Sequence, residues 1–331
     1  MKNVAVIGAT GAVGREIIDC LKKLEFPVNS LRLVASERSA GTSLETPFGD
    51  ITIEPVSEKV FKESDIAIFS AGGEVSKQLA PISREHRCLM IDNSSAFRYQ
   101  DEVPLVIPEI NANSAYEHRG IVANPNCTTA IAAMALWSLH TAFGLKKVII
   151  STYQATSGAG QKGMDELLRQ TKQYLDGEDE TIEHFTHPIA FNIIPHIDSF
   201  QENGYTREEM KVVWETRKIF DEPDLAISCT AVRIPTLRAH SESIVVETER
   251  PLTPESAQQI LQQAPGVELV DDVLHNKYPM PRNASGKFNV EVGRIRNNLI
   301  FGDHGLEFFV SGDQLLKGAA LNAVQIAQLF V

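Results

Sequence analysis

Short apolar runs alternate with amphipathic segments through the first 125 residues. Residues 2–7, 31–35, 66–70 and 89–92 are rich in Val, Ile, Leu and Ala, which predicts buried strands. Residues 15–24 and 75–85 have the apolar spacing of amphipathic helices. Because strands and helices alternate, residues 1–125 predict an α/β domain with a doubly wound, mostly parallel sheet.

The pattern changes after residue 126. An Ala- and Leu-rich helix is expected over 127–140, followed by predicted strands at 148–155, 226–234, 243–247 and 308–310, a hairpin over 290–301, and helices at 161–175, 208–219, 253–264 and 315–330. This mixture predicts a second, α+β domain over 126–312, whose sheet we expect to bury one face against a second subunit. The closing helix, within 313–331, is expected to complete the first domain. A length of 331 residues agrees with two domains.

A glycine-rich turn lies between the first strand and the first helix. Its spacing is GxxGxxG rather than GxGxxG, but its position between a strand and a helix is that of a dinucleotide-binding turn, and indicates a Rossmann-like domain. Glycines here let the backbone approach a pyrophosphate at the helix N-terminus. The predicted cofactor contacts in this turn are Gly8, Thr10, Gly11, Ala12, Val13 and Gly14.

The end of the second predicted strand bears on the choice of cofactor. In an NAD site an acidic residue at this point binds the ribose 2′-hydroxyl. Here the strand ends in Ala35 and Ser36, with Glu37 next and Arg38 and Ser39 just beyond. A basic and a hydroxyl side chain suit a 2′-phosphate, so the sequence favours NADP.

Cys127 lies at the start of the predicted 127–140 helix. Pro125 cannot occupy a helix interior and Asn126 is a favoured N-cap residue, so the cysteine should fall in the first turn. Unsatisfied N–H groups and the positive end of the helix dipole lower a thiol pKa there. The sequence therefore indicates a nucleophilic thiolate; the alternative is a small residue buried under the helix.

Charge and cysteine usage exclude several classes of protein. Lys and Arg number 31 against 43 Asp and Glu, a net charge of −12, and no basic run occurs, so neither nucleic acid nor a membrane surface is an expected partner. The four widely spaced cysteines and the absence of a signal peptide predict a cytoplasmic protein without a disulfide framework. His184, His187 and His196 match no metal-ligand spacing, so no metal is expected.

Five segments together resemble the aspartate-β-semialdehyde dehydrogenases of bacteria. They are residues 8–14, 92–98, 124–129, 153–160 and 233–241, and they occur in this order along the chain. The resemblance implies that a homodimer reduces L-aspartyl-4-phosphate with NADPH, giving L-aspartate-4-semialdehyde and phosphate. This reaction would serve lysine, threonine, methionine and diaminopimelate biosynthesis.

The resemblance also implies roles for particular residues. Cys127 is the nucleophile that carries the acyl group as a thioester, and His240 is the acid/base residue. Gln154 orients the acyl intermediate, and Arg233 takes the substrate carboxylate.

Further assignments concern the phosphate, the amine and the cofactor. Arg98 and Lys211 match the phosphate-binding residues, and Glu208 matches the ligand of the substrate amine, with Glu209 as the alternative by one residue. The cofactor's nicotinamide end is assigned to Ser157 and Gly158, and Gln314 is assigned to the cofactor at a position where asparagine is common. Thr128 and Ala239 stand where serine and glycine are common.

The chemistry of the residues agrees with this resemblance. An acyl phosphate needs a soft nucleophile that displaces phosphate and leaves again after reduction, and a thiol does both. An imidazole suits the proton transfers of the thiohemiacetal. Two alternatives remain at this point: an N-acetyl-glutamyl-phosphate reductase, whose substrate has no free amine, and a non-catalytic paralogue, which would be expected to lack Cys127, His240 or Arg233.

Overall fold

The computed structural model describes residues 1–331 and divides them into two compact units. Unit 1 comprises residues 1–126 and 319–331, and unit 2 comprises residues 127–318. The first boundary lies one residue from the predicted division, and the second lies at 318 rather than 312. Residues 313–318 belong to unit 2 because Asp313 and Gln314 accept backbone N–H groups from Gly286 and Ala239.

Unit 1 is built around a seven-stranded sheet. Its elements up to residue 126 are β1 (Lys2–Ile7), α1 (Ala12–Lys23), β2 (Val28–Ala35), β3 (Ser43–Thr46), β4 (Gly49–Pro55), α2 (Glu58–Lys62), β5 (Ile66–Phe69), α3 (Gly73–Glu85), β6 (Leu89–Asp92), α4 (Pro108–Asn111) and β7 (Ile121–Ala123). The strand order is β3-β4-β2-β1-β5-β6-β7, parallel except for β3 on β4. The predicted doubly wound sheet is confirmed. The pattern missed β3, β4 and the short β7.

The glycine turn after β1 is packed too tightly for side chains. Gly8 has a φ of 86°, and a Cβ there would lie 2.3 Å from the carbonyl oxygen of Ser70. A Cβ on Gly14 would lie 2.2 Å from the carbonyl oxygen of Gly8. Only glycine fits such a close approach between strand, turn and helix, so the turn can bring its backbone up to a ligand.

Unit 2 contains a mixed sheet. Its elements are α5 (Cys127–Phe143), β8 (Leu145–Gln154), α6 (Gly160–Asp176), α7 (Arg207–Phe220), β9 (Ala226–Arg233), β10 (His240–Thr248), α8 (Pro254–Gln262), β11 (Val267–Leu269), α9 (Pro281–Ala284), β12 (Val290–Asn297) and β13 (Gly305–Gly312). The strand order is β11-β12-β13-β10-β8-β9. Burial alternates along β10, so one face of the sheet lies against the helices, including α5, and the other is more open.

Two predicted elements differ from the structure. Residues 299–301 form the connection between β12 and β13 rather than a strand, because the side-chain oxygen of Asn298 accepts the N–H groups of Ile300 and Phe301. The predicted helix over 315–330 is interrupted: a π turn at Leu316–Ala320 precedes α10 (Leu321–Gln328), which packs on α1 in unit 1. No helix combines the length and the apolar character that crossing a membrane requires.

Candidate active site

Three strand ends bring polar side chains together in unit 2. Strands β8 and β9 are parallel, and their last residues, Gln154 and Arg233, are paired in register. Strand β10 runs antiparallel to β8 and begins with His240, so it starts at the edge where β8 ends. All three side chains are buried. The sheet therefore places an amide, a guanidinium and an imidazole at one edge, although they lie far apart in the sequence.

The predicted thiol meets the predicted histidine at this edge. Cys127 is the first residue of α5, and its Sγ lies 3.5 Å from Nε2 of His240. The other ring nitrogen, Nδ1, accepts the backbone N–H of Ala155 at 3.1 Å. Because a backbone N–H can only donate, Nδ1 carries no proton, and the neutral ring holds its proton on Nε2. That proton faces the sulfur.

The surroundings of His240 keep its ring neutral. The side chain is fully buried, and burial lowers its pKa well below 6.5, with the positive charge of Arg233 acting in the same direction. An imidazolium would also need a proton on Nδ1, which faces the Ala155 N–H. The uncharged imidazole is therefore the form at neutral pH, and it acts as a hydrogen-bond donor through Nε2.

Arg233 supplies the positive charge beside the thiol. Its side chain is 6% exposed, and Nη1 donates to the carbonyl oxygen of Ala155 at 2.6 Å. Burial lowers the pKa of Arg233, while the negative charges of Glu208 and Cys127 oppose that shift. An arginine remains protonated under such conditions, so Arg233 can bind a carboxylate and favour the thiolate of Cys127.

A chain of three charged groups lies on and beside α7. The Nζ of Lys211 donates to Glu208 at 3.0 Å and to Asp198 at 2.7 Å. Burial alone would lower the pKa of Lys211, but the two carboxylates outweigh it and raise that pKa, so the amine stays charged. The sequence does not point to Asp198, because this residue lies in irregular sequence outside the motifs. Its carboxylate accepts a hydrogen bond from the Lys211 amine. Burial raises the pKa of Asp198, but the pairing with Lys211 outweighs burial and lowers that pKa.

The structure separates the roles of the two adjacent glutamates. Glu209 completes a capping box, accepting the N–H of Thr206 at 2.6 Å, and its other oxygen accepts the N–H of Ala231 at 2.9 Å. It therefore fixes the start of α7 onto β9. Glu208 is the carboxylate that contacts Lys211 and acts electrostatically on Arg233.

The turn after β8 and the segment before β10 contact each other through predicted site residues. Gln314 accepts the N–H of Ala239 at 2.7 Å and donates to the hydroxyl of Ser157. A Cβ on Gly158 would lie 2.8 Å from Nη1 of Arg233, so this residue lies directly against the guanidinium. The amide of Gln154 donates to the hydroxyl of Thr152 at 3.3 Å. These predicted positions thus lie near His240 and Arg233 in unit 2.

Unit 1 holds the remaining predicted residues. Arg98 is 6% exposed, and it donates to the carbonyl oxygens of Asn124 and Asn93 at 2.8 and 2.7 Å. Arg38 and Ser39 lie in the exposed turn after β2, whose Val34 carbonyl accepts the N–H of Gly8 at 2.7 Å. The glycine turn and the Arg38 turn therefore follow neighbouring parallel strands, which is where nucleotides bind in such sheets.

The glycine turn suits the pyrophosphate of a dinucleotide. The N-cap residue of α1 is Gly11, which offers no side-chain cap, and the first turn of α1 carries no acidic residue. The first turn itself therefore supplies no acidic side chain to compete with a bound anion, and the helix dipole favours a phosphate there. No group of three or more His, Cys, Asp or Glu side chains is placed to hold a metal ion.

A doubly wound nucleotide-binding unit, combined with a helix N-terminal thiol beside a neutral imidazole, defines a cysteine-dependent dehydrogenase. Family models agree: "Semialdehyde dehydrogenase, NAD binding domain" matches residues 3–118, and "Semialdehyde dehydrogenase, dimerisation domain" matches residues 136–317. The aspartate-semialdehyde dehydrogenase of Aquifex aeolicus is 47% identical to the chain, covering 99% of it and 97% of the relative. That of Bacillus subtilis is 46% identical, covering 98% and 96%.

Solved structures give the same result. Aspartate semialdehyde dehydrogenase II of Vibrio cholerae matches with a TM-score of 0.96 and 44% identity, covering 100% of this chain and 98% of the other. The same Vibrio cholerae enzyme, solved in complex with ASA, matches equally well. The chain belongs to the aspartate-semialdehyde dehydrogenase family, and the resemblance seen in the sequence is confirmed. The relatives support this family over the N-acetyl-glutamyl-phosphate reductases.

Proposed function

We propose that the protein reduces L-aspartyl-4-phosphate with NADPH to L-aspartate-4-semialdehyde and phosphate. The observation that carries this proposal is the 3.5 Å approach of Cys127 Sγ to Nε2 of His240, beside the guanidinium of Arg233. A thiol in the first turn of a helix and next to an arginine is suited to react as a thiolate. The similar Vibrio cholerae enzyme was solved in complex with ASA, which supports the substrate class.

The first half of the reaction is acyl transfer. The Cys127 thiolate attacks the carbonyl carbon of the acyl phosphate, the carbon–oxygen bond to phosphate breaks, and phosphate leaves with the electron pair. The product on the enzyme is a thioester. Lys211, whose pKa is raised by its two carboxylate neighbours, is the proposed phosphate ligand in unit 2. Arg98 remains a predicted phosphate ligand in unit 1.

The second half reduces the thioester. A reduced nicotinamide, when bound, supplies the hydride. The Nε2–H of His240 is the proposed donor to the thioester oxygen and stabilises the negative charge that develops there. Breaking the carbon–sulfur bond then releases the aldehyde and returns Cys127 as a thiolate. Gln154, buried at the end of β8, is the proposed residue that orients the acyl group.

Charge complementarity favours the free amino acid over its acetylated, longer analogue. Arg233 is the proposed partner of the substrate carboxylate, and Glu208 the partner of its ammonium group. An N-acetylated substrate has no cation to offer Glu208 and would forgo this ion pair, whereas the ammonium group of aspartyl phosphate would form it. Both carboxylate oxygens of Glu209 already accept backbone N–H groups, which supports Glu208 rather than Glu209 in this position.

The nicotinamide cofactor fits unit 1, and we infer that it is NADP. Arg38 and Ser39 are the proposed ligands of the 2′-phosphate, in the turn beside the glycine turn. The backbone of residues 8–14 would hold the pyrophosphate. Ser157 and Gly158 are the proposed contacts at the nicotinamide end, and the resemblance assigns Gln314 a cofactor role without saying which part of the cofactor it meets.

A reverse assay tests this function. L-aspartate-4-semialdehyde, phosphate and either NADP or NAD are mixed with the enzyme, and the absorbance of the reduced nicotinamide is followed. Phosphate-dependent turnover with NADP is the expected result. Turnover only with N-acetyl-glutamate semialdehyde would overturn the substrate, and equal efficiency with NAD would overturn the cofactor preference. No turnover from folded protein that binds NADPH would indicate a non-catalytic paralogue.

We infer that two copies of the chain pair through the open face of the unit 2 sheet. The family model that matches this unit is a dimerisation domain, and Ile149 on that face is 46% exposed. Sedimentation of the wild type should give a dimer, and Ile149→Lys should weaken it. Val56→Lys, at a comparably exposed position in unit 1, is the control and should leave the dimer intact. A monomeric wild type contradicts the inference. We infer a cytoplasmic location because no disulfide joins the four cysteines.

A further inference from the structure

The two residues that follow β13 hold the two residues that precede β10. In the antiparallel pair, Gly312 at the end of β13 lies opposite His240 at the start of β10. Just beyond this pair, Asp313 accepts from Nε of Arg238 at 2.6 Å, and Gln314 accepts the N–H of Ala239 at 2.7 Å. The catalytic histidine is thus preceded by two residues that each donate a hydrogen bond to the segment just after β13.

Ala239 is held in an unusual conformation. Its φ is 68°, in the left-handed region that an alanine adopts only at a cost because Cβ approaches the backbone. The direction in which β10 starts, and with it the position of the His240 ring, depends on this angle. A conformation that the residue itself disfavours must be enforced by its surroundings. The hydrogen bond to the N–H of Ala239 comes from Gln314.

The carboxamide of Gln314 is occupied on both sides. It is 2% exposed, its oxygen accepts from Ala239, and its nitrogen donates to the hydroxyl of Ser157. Ser157 lies in the turn after β8, whose Ala155 N–H fixes Nδ1 of His240. One side chain therefore joins the segment before His240 to the turn that sets the protonation of its ring.

We propose that Gln314 is a positioning residue that holds His240 against the Cys127 thiol by enforcing the left-handed backbone of Ala239. The proposal rests on the proposed function for the role of His240 in turnover. It differs from the direct contact with the cofactor that the resemblance assigns to Gln314. A positioning role predicts coupling to residue 239, whereas a direct contact with the cofactor predicts none.

Four variants separate these roles: Gln314→Ala, Gln314→Glu, Ala239→Gly and the Ala239→Gly/Gln314→Ala double variant. Gln314→Ala should lower kcat about 100-fold, as expected for a misplacement of about 1 Å, with the NADPH Kd unchanged within about twofold. Gln314→Glu keeps an acceptor for Ala239, and the Ser157 hydroxyl can turn to donate, so kcat should return to within about fivefold of the wild type. In the double variant kcat should rise about tenfold above that of Gln314→Ala, because glycine does not resist the left-handed angle.

A second readout needs no turnover. The rate at which iodoacetamide alkylates Cys127 is followed against pH in the absence of substrate; Gln314→Ala should shift this profile, and the double variant should shift it back. Asn298→Ala is the matched control, since Asn298 is a buried amide that accepts backbone N–H groups in the β12–β13 connection. It should lower Tm while leaving kcat and the alkylation profile as in the wild type.

Other outcomes overturn the proposal in recognisable ways. A raised NADPH Kd without rescue by Ala239→Gly would make Gln314 a cofactor contact. Wild-type kcat and alkylation in Gln314→Ala would exclude any positioning role, and so would equal effects in Asn298→Ala. If the wild type has no phosphate-dependent turnover, the proposed function fails, and the alkylation profile still decides whether Gln314 positions His240.

Discussion

Gly318 lies against Cys127, the proposed nucleophile, and replacing it with alanine should move the sulfur of that cysteine. A Cβ built on Gly318 would lie 2.6 Å from Cβ of Cys127, 3.1 Å from its Cα and 3.4 Å from its carbonyl oxygen. Carbon atoms in contact normally sit about 3.5–4.0 Å apart, so relief requires a displacement of about 1 Å. The Cβ of Cys127 cannot rotate away because its backbone fixes it. Either the first turn of α5 or the π turn must therefore shift.

The magnitude follows from that displacement. A misplacement of about 1 Å near the chemistry can lower turnover about 100-fold, equivalent to about 2.7 kcal/mol in the barrier. Overpacking costs a further 1–3 kcal/mol or so in the free energy of unfolding. Gly318→Ala should therefore show kcat reduced about 100-fold in the reverse assay, slower alkylation of Cys127 by iodoacetamide, and a lower Tm.

A second glycine separates lost stability from a displaced sulfur. Gly177 ends α6 with a φ of 72°, and a Cβ there would meet no atom within 4 Å. Gly177→Ala should lower the free energy of unfolding by about 1 kcal/mol, from the left-handed alanine, and leave kcat unchanged. If Gly318→Ala keeps wild-type kcat and alkylation, or if Gly177→Ala loses activity equally, the reasoning about the close approach is wrong.

Three further predictions concern the thiol and two buried titratable groups. Cys127→Ala should abolish turnover with NADPH binding and Tm nearly unchanged; substantial activity in the folded variant would remove the thioester from the mechanism. Both carboxyl oxygens of Glu242 lack hydrogen-bond partners, and burial raises its pKa well above 4.5, so the unfolded state releases that proton first. Stability should then fall as pH rises above 4.5, by about 1.36 kcal/mol per pH unit until the folded pKa is reached, and urea titrations of Glu242→Gln should lack this slope. Burial and Arg233 lower the pKa of His240. The contribution of the neutral ring to stability is therefore present above pH 6.5 and lost as pH falls towards the folded pKa. The stability of His240→Gln should be less sensitive to acid over that interval, and an unchanged pH profile of stability would refute this.

The order of predicted strands and helices, alternating in unit 1 and mixed in unit 2, was sufficient to predict the fold class of both units. Buried parallel strands such as β5 and β6 are continuous apolar runs, and hydrophobic periodicity depends only on neighbouring positions. The hairpin β3–β4 was missed because its strands are mostly exposed and polar. The π turn before α10 was missed because an apolar run does not distinguish between helix types.

The sequence by itself determined that a thiol stands at a helix N-terminus, since a proline, a cap residue and an apolar run act within a few residues of one another. Only the tertiary structure decided what meets that thiol. The contact of Cys127 with His240 joins residues 113 apart, and the bond of Gln314 to Ala239 joins residues 75 apart. Strand register sets these contacts, and no local pattern encodes register between distant strands. The same holds for two finer features. Which nitrogen of His240 is protonated, and which contacts Glu208 and Glu209 make, depend on residues that are distant in the sequence or on the folded backbone around them.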